Sequence, residues 1–241
     1  TSYAWLFKTN RKAAQDKRIR ILLEEEAFAR IHESWRRLGY PFDHLVPSYA
    51  TAIGSSADRP EALAELIGIL LNDGVLQPTV RVSNLHFAEA TPYETVLGEK
   101  RRPAADVLAP EIARVVRKAM TDVVESGTAV RLRGAFGDQD GVPITIGAKT
   151  GTGDHRRKSF GPGGQLIGSQ AVSRTATVVF FIGDRLFGNI TVYVAGDDAE
   201  GFHFTSSLPA QLLKGLAPAI QPLLDGRGLR TAEAKLIDDD A

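Results

Sequence analysis

The sequence predicts an α+β fold in which an antiparallel β-sheet is flanked by helices. Apolar residues recur at helical spacing in the first half of the chain, whereas the second half contains β-prone runs rich in Val, Ile, Thr and Phe. Two of these runs, residues 175–182 and 189–194, are separated by only six residues. Because a parallel connection needs a crossover of about a dozen residues or more, we expect these two strands to form an antiparallel hairpin.

Three helices are predicted before the sheet, each with apolar residues at helical spacing and a glycine at or just after its end. They run from Arg18 to Leu38, from Asp58 or Pro60 to Leu71, and from Pro110 to Gly127. The third has an apolar stripe that includes Ile112 and Val115, and this stripe is expected to face the sheet. The β-prone pieces 80–82 and 85–87 lie between the second and third helices, and an amphipathic segment, residues 208–216, follows the last strand.

Composition excludes several classes of function. The 241 residues include 29 Lys and Arg and 29 Asp and Glu, so the net charge suggests neither a nucleic-acid partner nor an anionic-membrane partner. The local basic clusters 8–20, 100–102 and 156–158 are typical of solvated faces. The chain has no cysteine, which removes disulfides, thiolate metal sites and cysteine nucleophiles.

The chain ends suggest a piece of a longer or processed protein, because the first residue is Thr1 and the only methionine is Met120. No stretch of about 18 apolar residues is present, and the first residues lack the order typical of a signal peptide. We expect residues 1–225 to be one portion of a larger domain. Residues 226–241 are expected to form a polar tail, since they end in three aspartates.

The most informative motif is Lys149-Thr150-Gly151-Thr152, which follows the β-prone run 142–148 and is expected at its end. Penicillin-recognising enzymes combine K-T-G with a nucleophile motif S-x-x-K and a second motif typified by S-D-N. No serine of this chain lies in an S-x-x-K or S-x-N pattern. The sequence therefore predicts one side of a catalytic site without its nucleophile.

Two alternative interpretations of the tetrapeptide compete with this one. A phosphate-binding G-x-x-x-x-G-K-[ST] loop fails, because five residues separate Gly141 from Gly147 and Ala148 intervenes before the lysine. A plain strand end followed by a turn would be favoured if the tetrapeptide stood alone. The chemistry nevertheless accounts for each residue: Lys149 attracts a substrate carboxylate, Gly151 permits close approach, and the hydroxyls of Thr150 and Thr152 can donate to that carboxylate.

Further segments resemble the class A, bifunctional penicillin-binding proteins, in the same order as in that family and over roughly residues 30–215. In that family a helix ending in L-G precedes a P-S-x-A-L-G-like stretch, a second helix and an N-G-G-like end, and V-V-x-x-G-T-A precedes K-T-G. The corresponding segments here are 35–40, 47–54, 60–64, 71–74 and 123–129.

The resemblance implies a β-lactamase/transpeptidase-like fold and a serine D,D-transpeptidase activity in peptidoglycan synthesis. It assigns Lys149 and Thr152 catalytic roles, with the Thr152 N–H in the oxyanion hole, and it assigns Thr150, Gly151 and Thr152 to substrate binding. The implied ligands are D-Ala-D-Ala stem peptides and β-lactams, with no metal or organic cofactor. The serine, a membrane anchor and any glycosyltransferase domain would lie upstream of Thr1, and the site would lie on the periplasmic face of the inner membrane.

Two other functions stay open. A carboxypeptidase or β-lactamase of the same fold would use water as the acceptor, and a degenerate, non-catalytic module would bind peptidoglycan beside a glycosyltransferase. His155, which closely follows the motif, is the one histidine worth testing, and residues 197–200 are interpreted as a solvated turn in preference to a cation site. Trp35, Phe180 and Phe181 are expected in the core.

Overall fold

The computed structural model describes residues 10–54, 56–80, 82, 84–98 and 103–225, together with Ala4 and Lys8. The described residues form two compact units that divide between Ala62 and Leu63. The predicted tail 226–241 and the basic cluster 100–102 lie outside the described residues.

The first unit is built on one long helix, α1 (Lys12–Arg37), and contains a short 3-10 helix (Tyr49–Ile53). The helix begins six residues before the predicted Arg18. Apolar spacing does not reveal its first turns, because they are polar and carry no apolar stripe. Tyr40 is buried, and its ring meets those of His32, Trp35 and Phe42 edge-on, at centroid distances of 5.8, 6.2 and 5.6 Å. Trp35 itself is 40% exposed, so its prediction as a core residue is wrong.

The second unit contains the sheet and its helices; α2 begins just before the boundary between the units. In chain order the elements are α2 (Pro60–Leu71), β1 (Val75–Leu76), β2 (Asn84–Phe87), β3 (Thr95–Gly98), β4 (Ala105–Asp106), α3 (Pro110–Glu125), β5 (Ile146–Phe160), β6 (Leu166–Ile182), β7 (Leu186–Ala195), α4 (Ser207–Gly215) and α5 (Ala217–Leu224). A short 3-10 helix follows α3 (Val130–Leu132), and another follows β7 (Asp197–Gly201).

The main sheet has the order β5-β6-β7 and is antiparallel throughout, which confirms the predicted hairpin. The connection between β5 and β6 is short, because both strands continue beyond the predicted β-prone runs until only residues 161–165 remain between them. Lys149-Thr150-Gly151-Thr152 therefore lies inside β5 and not at its end. The strand pairs β1–β4 and β2–β3 form two further two-stranded sheets.

Apolar clusters cover both faces of the main sheet. On one face, side chains of β5 and β6 pack with Ala210 and Leu213 of α4 and with Val124 of α3. On the other face, Phe181 packs with α2 and with Ala113 and Met120 of α3. Phe180 and Phe181 are both buried, as predicted.

The buried line of α3 differs from the predicted stripe. Ala113, Met120 and Val124 are buried, whereas Ile112 is 52% and Val115 is 69% exposed. The difference is a rotation of the helix about its axis, which spacing alone does not fix when apolar residues lie on more than one side. Within the described residues, none of the helices combines the length and apolar character that crossing a bilayer requires.

Candidate functional site

Strand β5 lies at an edge of the main sheet. Within the described part of the chain it pairs with β6 on one side, and no strand pairs with its other side. An edge strand has unpaired backbone N–H and C=O groups, which can hydrogen-bond an extended peptide. The edge strand that contains the K-T-G motif is thus open to strand addition.

Lys149 lies on this strand with its side chain exposed. Its Nζ donates a hydrogen bond of 2.6 Å to the carbonyl oxygen of Thr150. An ammonium group has three donors, so this contact leaves two for a ligand or for water. Lys149 therefore offers a positive charge beside the open edge.

Thr150 has a different environment, because successive side chains of a strand point to opposite faces. Its side chain is on the opposite face from Lys149 and is only 9% exposed. Its Oγ1 lies 2.6 Å from Oγ1 of Thr128, in the turn that follows α3. This bond ties the strand to that turn, and the substrate-binding role of Thr150 stays a prediction.

Gly151 is exposed, and a Cβ built on its backbone would meet no heavy atom within 4 Å. Gly147, four residues earlier, is buried, and a Cβ there would collide with the ring of Phe181. The two glycines therefore have different physical reasons: Gly147 makes room for a core aromatic, whereas Gly151 borders open space in which a ligand can lie.

Thr152 is exposed, and its hydroxyl is engaged from one side only. The backbone N–H of Ser206 donates to Thr152 Oγ1 at 3.0 Å. Because a hydroxyl has one donor hydrogen in addition to its lone pairs, the O–H of Thr152 is still able to donate to a carboxylate.

The segment that reaches Thr152 is held by Arg174 of β6. The Arg174 Nε and Nη2 donate to the carbonyl oxygen of Phe204 at 2.9 and 2.7 Å, and the guanidinium lies 5.6 Å from the centre of the Phe204 ring. Neither Arg174 nor Ser206 was singled out by sequence reasoning. No local pattern could reveal the contact, since Ser206 is 54 residues from Thr152 in the chain.

The remaining candidates lie on β5 beyond the motif and in the 3-10 helix that follows β7. His155 is exposed on β5 and faces Ser173 across the strand pair. In the predicted solvated turn, Glu200 accepts from Arg156 at 3.1 Å and Asp197 accepts from Gln170 at 2.8 Å. In the described ranges, no three His, Asp or Glu side chains are grouped as a metal site would require.

No protein-family model and no curated protein matches the sequence. Solved structures do match the fold. The chain superimposes on penicillin-binding protein 1A from Haemophilus influenzae with a TM-score of 0.51 and 20% identity, over 77% of this chain and 30% of that one. The chain has the fold of penicillin-binding proteins. The predicted resemblance and fold class are thereby confirmed at the level of the fold.

Two structures from Mycobacterium tuberculosis lead to the same fold. Penicillin-binding protein 3, in a complex with ampicillin, matches with a TM-score of 0.50 and 15% identity over 80% of this chain and 45% of that one. Penicillin-binding protein A, as a ceftriaxone acyl-enzyme, matches with a TM-score of 0.50 and 18% identity over 76% and 42%. The chain thus spans less than half the length of each of these three proteins, so it corresponds to a partial domain.

Proposed function

We propose that this chain is part of the D,D-transpeptidase domain of a bifunctional, class A penicillin-binding protein and supplies the substrate-aligning strand of its active site. One observation carries the proposal: an unpaired sheet edge that presents Lys149, the open space at Gly151 and the available hydroxyl of Thr152 within four consecutive residues. The nucleophilic serine comes from outside these 241 residues, since no serine here lies in S-x-x-K.

Each of these groups has a chemical task in acyl transfer. The serine oxygen attacks the carbonyl carbon of the penultimate D-alanine, and the Thr152 N–H stabilises the negative charge that develops on the carbonyl oxygen. The Thr152 hydroxyl donates to the terminal carboxylate, and the Lys149 ammonium, from the other face of the strand, attracts that carboxylate by its charge. The departing D-alanine takes a proton at its nitrogen, and the amine of a neighbouring stem peptide then attacks the acyl-enzyme and releases the serine.

The sheet edge explains the preference for an extended peptide. A stem peptide that pairs with β5 aligns its backbone with the strand, which fixes the scissile carbonyl relative to Thr152. A β-lactam is expected to use the same edge and the same carboxylate contacts. Work on peptidoglycan would place this site on the periplasmic face of the inner membrane.

Titration of the isotope-labelled 241-residue chain with an N-acyl-D-Ala-D-Ala peptide tests the binding step. We expect amide chemical shifts of residues 149–153 to move, and Lys149→Ala to weaken this response. The exposed Lys158, on the same strand, provides the matched control Lys158→Ala, which should bind like the unaltered chain. A response that is confined to other residues, or that is equal in both variants, would contradict the assignment of β5.

Covalent labelling tests the catalytic step. The 241-residue chain should form no adduct with a fluorescent penicillin that survives denaturation, since it lacks the serine motif. In a longer protein that supplies S-x-x-K, Lys149→Ala should slow acylation by about 100-fold or more, the loss typical for a group that stabilises charge in the transition state. If the longer protein lacks S-x-x-K and S-x-N, the alternative of a non-catalytic peptidoglycan-binding module is correct.

A further inference from the structure

The hairpin of β5 and β6 continues well beyond the three-stranded sheet. The last residue pair between β6 and β7 is Ser173 with Ala195. Beyond it, residues 156–160 of β5 pair only with residues 166–171 of β6, and we call this two-stranded extension the distal ribbon. Arg156 attaches the base of the distal ribbon to the 3-10 helix that follows β7, because the Arg156 Nη2 lies 3.1 Å from both carboxylate oxygens of Glu200.

The end of the distal ribbon carries three exposed apolar side chains. Phe160 is 60% exposed and lies opposite Leu166, which is 55% exposed. Ile167 is 66% exposed and is the additional residue of a β-bulge, since the register shifts between Ser159 and Phe160. Together, Phe160, Leu166 and Ile167 form what we call the ribbon tip.

Positive charge lies directly behind the ribbon tip. Lys158 and Arg157 are exposed, and they precede Phe160 by two and three residues. At a strand rise of about 3.4 Å per residue, they lie roughly 7 and 10 Å behind the aromatic ring's position along the strand. From His155 to Val172 the sequence contains no acidic residue, so this charge is not neutralised within the ribbon.

Three backbone N–H groups of the loop at the ribbon tip are bonded within the loop. The N–H of Gly161 donates to the Gln165 carbonyl and that of Gly164 to the Gly161 carbonyl, both at 2.9 Å. The N–H of Gly163 donates to the Gln165 side chain at 3.1 Å, and Pro162 has no N–H. Moving a loop out of water costs less free energy when its N–H groups are bonded within the loop than when they are bonded to water.

We propose that the ribbon tip inserts into the surface of a membrane that contains anionic lipids. Interfacial segments bury apolar side chains about 5–10 Å into the boundary between headgroups and acyl chains. At that depth the side chains of Lys158 and Arg157 reach the level of anionic headgroups, which attract basic residues. Exposed apolar side chains at the end of a two-stranded ribbon, with basic side chains directly behind them, fit entry into anionic lipid.

Site-specific fluorescence tests the insertion directly on the 241-residue chain, because it contains no cysteine. An environment-sensitive fluorophore on Ile167→Cys should gain intensity severalfold with vesicles of phosphatidylglycerol and phosphatidylcholine, and should respond weakly to phosphatidylcholine alone. The matched control is Leu97→Cys on the β2–β3 hairpin, where the native side chain is 55% exposed, and its fluorophore should not respond.

Vesicle co-sedimentation of unlabelled variants separates the two components. Arg157→Gln with Lys158→Gln should weaken binding to the anionic vesicles at least tenfold. Arg185→Gln with Lys214→Gln removes the same charge from exposed positions elsewhere and should have little effect. Serine at all three ribbon-tip positions should abolish binding while circular dichroism stays unchanged.

Three outcomes would overturn the proposal: a silent fluorophore at position 167, equal responses at 167 and 97, or equal binding to both vesicle types. A concentration-dependent dimer that the ribbon-tip serines abolish, without any vesicle binding, would assign the surface to a second copy of the chain instead.

Discussion

Gly147 and Gly151 allow one substitution to be compared at two positions on the same face of the same strand. Gly147→Ala is expected to destabilise the second unit, whereas Gly151→Ala should leave its stability nearly unchanged. A Cβ at Gly147 collides with the ring of Phe181, which is 4% exposed and is enclosed by apolar side chains of α2 and α3. The ring has little room to move, so the strand or the helices must shift.

The expected magnitudes follow from the two environments. Overpacking a well-packed core costs about 1–3 kcal/mol. Replacing a glycine also makes the unfolded chain less flexible, which stabilises the folded state by about 0.4–1 kcal/mol where the site accepts alanine. We therefore expect Gly147→Ala to lower the free energy of unfolding by about 1–2 kcal/mol and Gly151→Ala to raise it slightly. For a chain of this size the two melting temperatures should differ by roughly 4–8 °C.

Thermal unfolding followed by circular dichroism measures the difference, and the peptide titration measures the consequence for binding. Gly151→Ala should retain its melting temperature and lose the response of residues 149–153, because the new methyl group fills the open space beside the edge. Equal melting temperatures for the two variants would refute the packing argument. Undiminished peptide binding by Gly151→Ala would refute the role of that space.

Further predictions concern neighbouring contacts. Thr128→Val should lower the free energy of unfolding by about 1–3 kcal/mol by leaving the buried Thr150 hydroxyl without its partner, whereas Thr128→Val with Thr150→Val should be nearly neutral; additive losses in urea titrations would contradict this. Burial raises the pKa of the Asp58 carboxyl, so the folded state binds its proton more tightly than the unfolded state does. The free energy of unfolding should therefore fall as the pH rises just above about 4, where the unfolded carboxyl loses its proton. Unfolding curves of Asp58→Asn should lack this fall. Arg174→Met should speed hydrogen exchange at the Ser206 amide, as NMR can measure, because the segment loses its two charge-assisted bonds.

Elements with strong local signals could be predicted from the sequence. The boundaries of α2 follow from Pro60 at its start and from Asp73 and Gly74 at its end, which adopt φ values of 51° and 92°. The β6–β7 hairpin follows from the short connection, which a parallel pairing cannot use. In both cases a few adjacent residues restrict the backbone strongly enough to determine the structure.

Elements without a buried face could not be predicted in this way. The first turns of α1 are polar, and residues 153–159 of β5 are glycine or polar, with no core beneath them. Hydrophobic periodicity detects a strand or helix only through the side chains that it buries, so it detects neither segment. The pairing of β5 with β6 beyond Gly153 depends on the partner strand, which no local pattern encodes.

The candidate site shows why a sequence motif does not by itself assign the roles of its side chains. K-T-G suggested four residues that serve one ligand, yet strand alternation places Thr150 and Thr152 on the opposite face from Lys149. The Thr150 hydroxyl is hydrogen-bonded to that of Thr128. Thr152 instead accepts from the N–H of Ser206, in the segment that Arg174 holds at Phe204, and its own O–H is left to donate. The direction of that O–H therefore depends on a segment far along the chain, so the proposed substrate-aligning surface includes the residues before α4 as well as β5.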